Sequence, residues 1–294
     1  MAMTGWGVNA EYAPLTAVLL YRPGPEIDGY PVPAGIQHLA PISYQSLMSE
    51  YDSILSVFAA HGVTVHLIDA TPLSTDVWYR YNLMYCRDLF FMTPRGAILG
   101  HMANQTRAAE PEYAARALTA AGVPLLHAVS GAGTFEGADA LWLREDLVLV
   151  GVGHRTNQAG YAQVAAVLKE QGVTCLPLPS HQTRTQHLLG TVQIVDRDLA
   201  LVRHEITDSA VIRFLGEQGL DVVGVPERDE VLNRQAMNIV TVAPRTIIMT
   251  AGCPETRSQY EGAGLTVAAE LQLTQLMRGA GGLACATGIV ARSE

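Results

Sequence analysis

The chain has 294 residues, a net charge of −9, and 49% apolar against 16% charged residues, the make-up of an ordered globular protein with a sizeable core. The acidic balance argues against nonspecific binding to nucleic acid or anionic membrane, which needs clustered Lys and Arg, and favours a cationic ligand. With no signal-like N-terminus, no run of 18 apolar residues and four cysteines (Cys86, Cys175, Cys253, Cys285) without zinc-finger spacing, the expectation is a soluble cytoplasmic protein with free thiols and no membrane contact.

Residues 17–21 read as a first strand. Residues 22–41 carry five prolines together with Gly24, Gly29 and Gly35, and read as a surface loop near the mouth of the site, as a lid or a plain connector. From residue 89 a pattern repeats. Residues 89–93, the turn 94–96 and residues 97–99 read as strand, turn, strand. Residues 111–121 have helical apolar spacing and end at Ala121-Gly122-Val123. The hairpin returns at 140–150, 191–202 and 238–249, with helical stretches at 158–170 and 209–218. Further Gly steps fall at Gly62, Gly172, Gly219 and Gly264.

Each unit is therefore hairpin, helix, strand, with a period of about 50 residues. An ordinary three-layer α/β sheet would set single strands between its helices, whereas here a hairpin recurs. The expectation is an α/β ring of five repeats in a single catalytic domain, residues 1–294. The fifth unit is split between the termini, with residues 17–21 joining residue 265 onward and 288–290. Pairing the first and last strands closes the ring and removes open edges.

Asp88, Glu136, His187 and Cys285 each stand just before the strand that opens a different repeat. Equivalent positions in a closed ring converge on its axis. Taken singly each has a bland alternative: Cys285 as a small thiol in a tight Gly-rich turn, His187 as a polar residue at a strand entry, and Asp88 and Glu136 as strand caps or partners of nearby arginines. Taken together they suit a planar cation, because carboxylates bind guanidinium in pairs, a thiolate attacks its central carbon, and His protonates the departing amine. No metal site is expected, since neither HExxH nor paired Cys/His spacing is present.

These residues resemble the guanidine-modifying (pentein) superfamily of arginine deiminases, dimethylarginine dimethylaminohydrolases and amidinotransferases. The resemblance runs through 18–26, Arg87-Asp88, Glu136-Gly137-Ala138-Asp139, 151–157, His187-Leu188 and Cys285. It implies a five-bladed α/β propeller that works without a cofactor. Cys285 would be the nucleophile and His187 the general acid, then base. Asp88 would bind guanidinium nitrogens, and Glu136 would bind guanidinium or orient His187. Asn82 would contact the amino-acid end of an arginine-like small molecule, while Arg107 and Arg155 would grip its α-carboxylate.

One departure stands out. Deiminases and amidinotransferases carry an Asp two residues after the His, and this chain has Leu189 there, as the dimethylarginine hydrolases also lack that Asp. An apolar side chain leaves an unsubstituted guanidinium donor unpaired, which is costly when buried. The resemblance and Leu189 together imply hydrolysis of an N-substituted, methylated L-arginine to citrulline and an alkylamine. Arginine deiminase and amidinotransferase activity are the nearest alternatives, and a pentein that only binds, like the ribosome anti-association factors, is the non-enzymatic one. Homo-oligomerisation is compatible with the sequence.

Overall fold

The structure, a computed structural model, describes residues 5–29, 32–69, 79–180 and 185–293. Its strands form five sheets of three strands each. Four blades share one construction. In the blade of β3 (Phe90–Thr93), β4 (Gly96–Leu99) and β5 (Leu125–Ala128), the first two strands form the hairpin and the third returns parallel to the second. The same order holds for β6 (Ala140–Arg144), β7 (Leu147–Gly153) and β8 (Thr174–Ser180). It recurs in β9 (Val192–Asp196), β10 (Leu199–Val202) and β11 (Asp221–Gly224), and in β12 (Val240–Ala243), β13 (Thr246–Thr250) and β14 (Thr266–Leu271).

A parallel return needs a crossover, and a helix supplies it between each blade's second and third strands. The Gly steps end those helices. At Gly172 the backbone turns left-handed, φ 78°, and Val173 N–H donates back to Leu168 C=O at 3.0 Å just past the helix Gln158–Lys169. This is the favoured helix stop, since glycine adopts positive φ without strain. Gly122, at φ 78°, does the same after the helix Glu110–Ala120.

The split blade closes the ring, with one correction. β1 (Leu15–Leu20) pairs antiparallel with β15 (Gly288–Arg292), Val18 facing Ile289, and parallel with β2 (Thr64–Leu67). Residues 266–271 do not join this blade as the sequence suggested. They pair with β13, Thr246 facing Thr266, because the helix Pro254–Gly262 returns the chain to its own hairpin. The third strand of the split blade is β2, delivered by the step at Gly62.

The first strand of each repeat faces the centre and is buried along most of its length, which is why these segments are almost continuously apolar. The outer strands β5 and β11 are mostly half-buried or exposed. The described residues of the segment 22–41 are partly packed. Ile27, Ile36 and His38 are buried, and Gln37 and Leu39 border the central cavity, so the segment does lie at the mouth. Among the described residues no helix is long and apolar enough to cross a membrane.

Candidate active site

A cavity of about 410 Å³ opens at the centre of the ring, and Asp88, Arg107, His187, Leu189, Asn238 and Cys285 all border it. Its size is that of a small-molecule site. The blade openings thus bring together residues far apart in sequence.

Cys285 lies in the short helical turn Leu283–Ala286, half-buried. The turn begins at Gly282, and a methyl group placed on Gly281 would sit 2.2 Å from the Tyr85 ring, so only glycine lets this loop pass. Asn238 holds the loop from the neighbouring blade. Its Oδ1 accepts from Ala284 N–H at 2.6 Å and Cys285 N–H at 3.3 Å, while its Nδ2 lies 3.0 Å from Cys285 Sγ. Asn238 was absent from the expected set. It occupies the position in its blade that Asp88, Glu136, His187 and Cys285 occupy in theirs, so extending the repeat spacing to the fourth hairpin would have found it. Burial, with Asp88 nearby, holds the resting Cys285 thiol above its ordinary pKa.

His187 is buried, with Nε2 2.6 Å from Glu136 Oε2 and Nδ1 3.7 Å from Asp88 Oδ1. Burial alone would lower its pKa, but Asp88, Glu136 and Asp139 outweigh that and raise it to about 9. Conversely, burial would raise Glu136, yet its bond to His187 and the charges of His187, Arg107 and Arg155 bring it below the carboxylate range. The resting pair is therefore imidazolium and carboxylate. Asp139 fixes the segment behind it, accepting from Leu188 N–H at 2.9 Å and from Thr156 Oγ1 at 2.8 Å.

Asp88 has its two oxygens in different situations. Oδ2 accepts from Arg107 Nη1 at 2.7 Å, whereas Oδ1 is buried and has no hydrogen-bond partner among the described residues. An acceptor left open in a cavity marks the place of a ligand donor. Arg107 is buried and committed to the protein's own acids. Its Nε donates to Glu110 at 2.9 and 3.1 Å, and its Nη1 stands 4.0 Å from Glu136. Burial lifts Glu110 to about 7, against the pull of Arg107.

Arg155 is half-buried and lies against Gln37 and Gln186, which border the cavity. It reaches Glu136 Oε1 at 3.4 Å, Gln37 Oε1 at 3.5 Å and Gln186 Oε1. Asn82 is buried, borders the cavity and donates to Ile36 C=O at 2.8 Å. Leu189 is 7% exposed and borders the cavity, where Asp88 is the one acid among the described lining residues. Asp88, Glu136 and His187 are close enough to hold a cation together. The guanidinium of Arg107 beside them and the imidazolium state of His187 disfavour a metal ion there.

Comparison with known proteins agrees with this architecture. Residues 80–213 match the arginine deiminase family model. An arginine deiminase from Mycobacterium marinum is 28% identical over 187 residues, which cover 53% of this chain and 46% of that enzyme. In solved structures, an amidinotransferase from the saxitoxin biosynthetic pathway of Microseira wollei aligns over 99% of this chain and 98% of its own, with a TM-score of 0.80 at 16% identity. A dimethylarginine dimethylaminohydrolase from Pseudomonas aeruginosa, complexed with citrulline, aligns over 94% of this chain and 99% of its own, with a TM-score of 0.73 at 17% identity. Five three-stranded blades closed by the terminal strands are the fold that these solved structures share, and the stretch similar to the arginine deiminase family spans the second, third and part of the fourth blade.

Proposed function

We propose that the protein is a hydrolase acting on an N-substituted L-arginine, giving L-citrulline and an alkylamine through a covalent intermediate on Cys285. The observation that carries this reading is the open Oδ1 of Asp88, set in a cavity that Cys285, His187 and Leu189 also border. A guanidinium N–H satisfies that oxygen. The substituted nitrogen faces Leu189, where a methyl group replaces a donor that would otherwise have no acceptor.

The charges assign the steps. The bound guanidinium places a positive charge beside the thiol and favours its ionisation. Sγ attacks the guanidinium carbon, and Asn238 keeps the Cys285 loop in place. His187, protonated at rest, gives its proton to the substituted nitrogen, which leaves as the alkylamine. The product on the enzyme is an S-alkylthiouronium. Neutral His187 then takes a proton from water, oxygen adds to the same carbon, the C–S bond breaks, and citrulline is released. Glu136 holds the imidazole in position throughout. Arg107 neutralises Asp88 and Glu136, while Arg155, with its weaker contacts at the rim, meets the α-carboxylate together with Asn82.

A citrulline assay across arginine, Nω-methylarginines and agmatine tests the reading. Citrulline from methylated arginines in preference to arginine supports it, and citrulline from arginine alone sinks the substituted-substrate part. A second reading, arginine deiminase, is favoured by the family match over residues 80–213. It predicts ammonia from free arginine.

A further inference from the structure

Beyond Leu189 the cavity continues along a wall that none of these steps uses. Leu189 and Gly190 open the blade of β9, Val231 and Leu232 come from the turn of helix Asp229–Leu232, and Met237 comes from the segment before β12. Gln193 ties the two segments together, donating to Leu189 C=O at 2.9 Å and Met237 C=O at 3.2 Å. Arg203 also borders this wall, but Glu227 holds its guanidinium at 2.7 and 2.6 Å, so the charge there is already neutralised. Asn238 is committed to the Cys285 loop, and among the described residues the polar groups left on this side are neutral, the Gln235 amide and the Thr185 hydroxyl beside Gly190.

The wall runs out into exposed hydrocarbon. Leu232 is 44% and Leu39 75% exposed, and both border the cavity. A methyl group on the guanidine nitrogen would reach Leu189 without reaching Leu232, whose exposed face continues the wall past the buried Val231 and Met237. A charged substituent finds no free counter-ion among the described residues that line this side.

We propose that this wall is a subsite for the substituent on the departing nitrogen, and that the substituent is a hydrocarbon larger than methyl, of about three to six carbons or one phenyl ring. The inference rests on the guanidine reading above. The substrate is then an Nω-alkyl- or Nω-arylalkyl-L-arginine. The bonds follow the same course: S–C forms as the bond from carbon to the alkylated nitrogen breaks, that nitrogen takes the His187 proton and leaves as the alkylamine, and water returns citrulline and free thiol.

The test measures citrulline from Nω-methyl-, propyl-, butyl- and benzyl-L-arginine. The expected kcat/KM rises about two- to fourfold per added methylene up to butyl, the range for partial to full burial of each group. In Leu232→Asp, an exposed site whose change the fold tolerates, the butyl-to-methyl ratio falls about tenfold or more; Val231→Ser gives a second measure of the same ratio. A flat or falling series, with methylarginine still turned over, overturns the subsite and leaves the guanidine reading standing. No citrulline from any of the four, with no labelling of Cys285 by a haloacetamidine, overturns both.

Discussion

The two sides of the cavity are built from opposite materials. Toward the blades of β3 and β6 it is a mesh of buried charge, where Asp88, Glu110 and Glu136 converge on Arg107 and Glu136 binds His187. Toward the blades of β9 and β12 hydrocarbon from Leu189, Val231, Leu232 and Met237 is set among neutral amides and the Glu227-paired Arg203. On the proposed function, the charged side would meet what any guanidine presents: a planar cation, its central carbon and the proton transfer at His187. The apolar side would meet what differs between guanidines, the groups on the outer nitrogen. Recognition of the reacting group and choice among its bearers are therefore separable, and each side can be changed alone.

Removing the chemistry is the severest change. Cys285→Ser is expected to lower citrulline formation about 10³-fold or more, with substrate still bound, and retained turnover would end the covalent mechanism. Next comes converting the apolar side to the charged kind. Leu189→Asp gives a guanidinium N–H a charge-assisted acceptor, which corresponds to about 10–100-fold. The ratio of kcat/KM for arginine over Nω-methylarginine should rise by that amount, and an unchanged ratio refutes Leu189 as the selector. Asn238→Ala releases the Cys285 loop from its neighbouring blade. Its expected cost is about tenfold in kcat, the scale of one or two hydrogen bonds, with a matching fall in haloacetamidine labelling of Cys285. Normal labelling would leave Asn238 with no part in placing the thiol.

How much of this the sequence disclosed follows the same division. The ring and the charged side were legible, because repeats announce themselves through Gly172 and its counterparts and because Asp, Glu, His and Cys stand out where each hairpin begins. Asn238 obeyed the same spacing and was passed over, since an amide suggests no reaction until its contact with Sγ is seen. Residues 266–271 were misassigned because a lone strand after a Gly step does not say which hairpin it returns to; the parallel register with β13 decides that. The apolar wall was illegible beyond Leu189. Val231, Leu232 and Met237 resemble any core residues in sequence, and only the fold turns them toward a cavity. Arg107 illustrates the converse: its distance from Asp88 was apparent, but the depth of its commitment to Glu110 was not.

Arg155 sharpens the division at the rim. If it meets the α-carboxylate, Arg155→Gln should lower kcat/KM for methylarginine about fivefold while leaving Nω-methylagmatine, which has no carboxylate, within twofold of its starting value. Equal losses on both would move Arg155 to the support of Glu136, its partner at 3.4 Å.

The smallest expected effect concerns stability, and its sign follows from the two pKa shifts. His187 is raised in the folded protein to about 9, from about 6.5 when unfolded. Its contribution is therefore fully present below about pH 6.5 and is lost as pH climbs through about 9. Glu136 is lowered, so its contribution is present above the ordinary carboxylate range and is lost as pH falls through its folded pKa. Between about pH 5 and 6.5 both are in force. Thermal unfolding of the wild type should show Tm falling between pH 6.5 and 9.5 by a few degrees more than in His187→Gln, which keeps a hydrogen-bonding side chain but cannot lose a proton in that range. Equal slopes would mean that the imidazolium does not hold the charged side together. Glu136 would then be stabilised by Arg107 and Arg155, and His187 would be free to rest neutral, with its proton supplied only when substrate arrives.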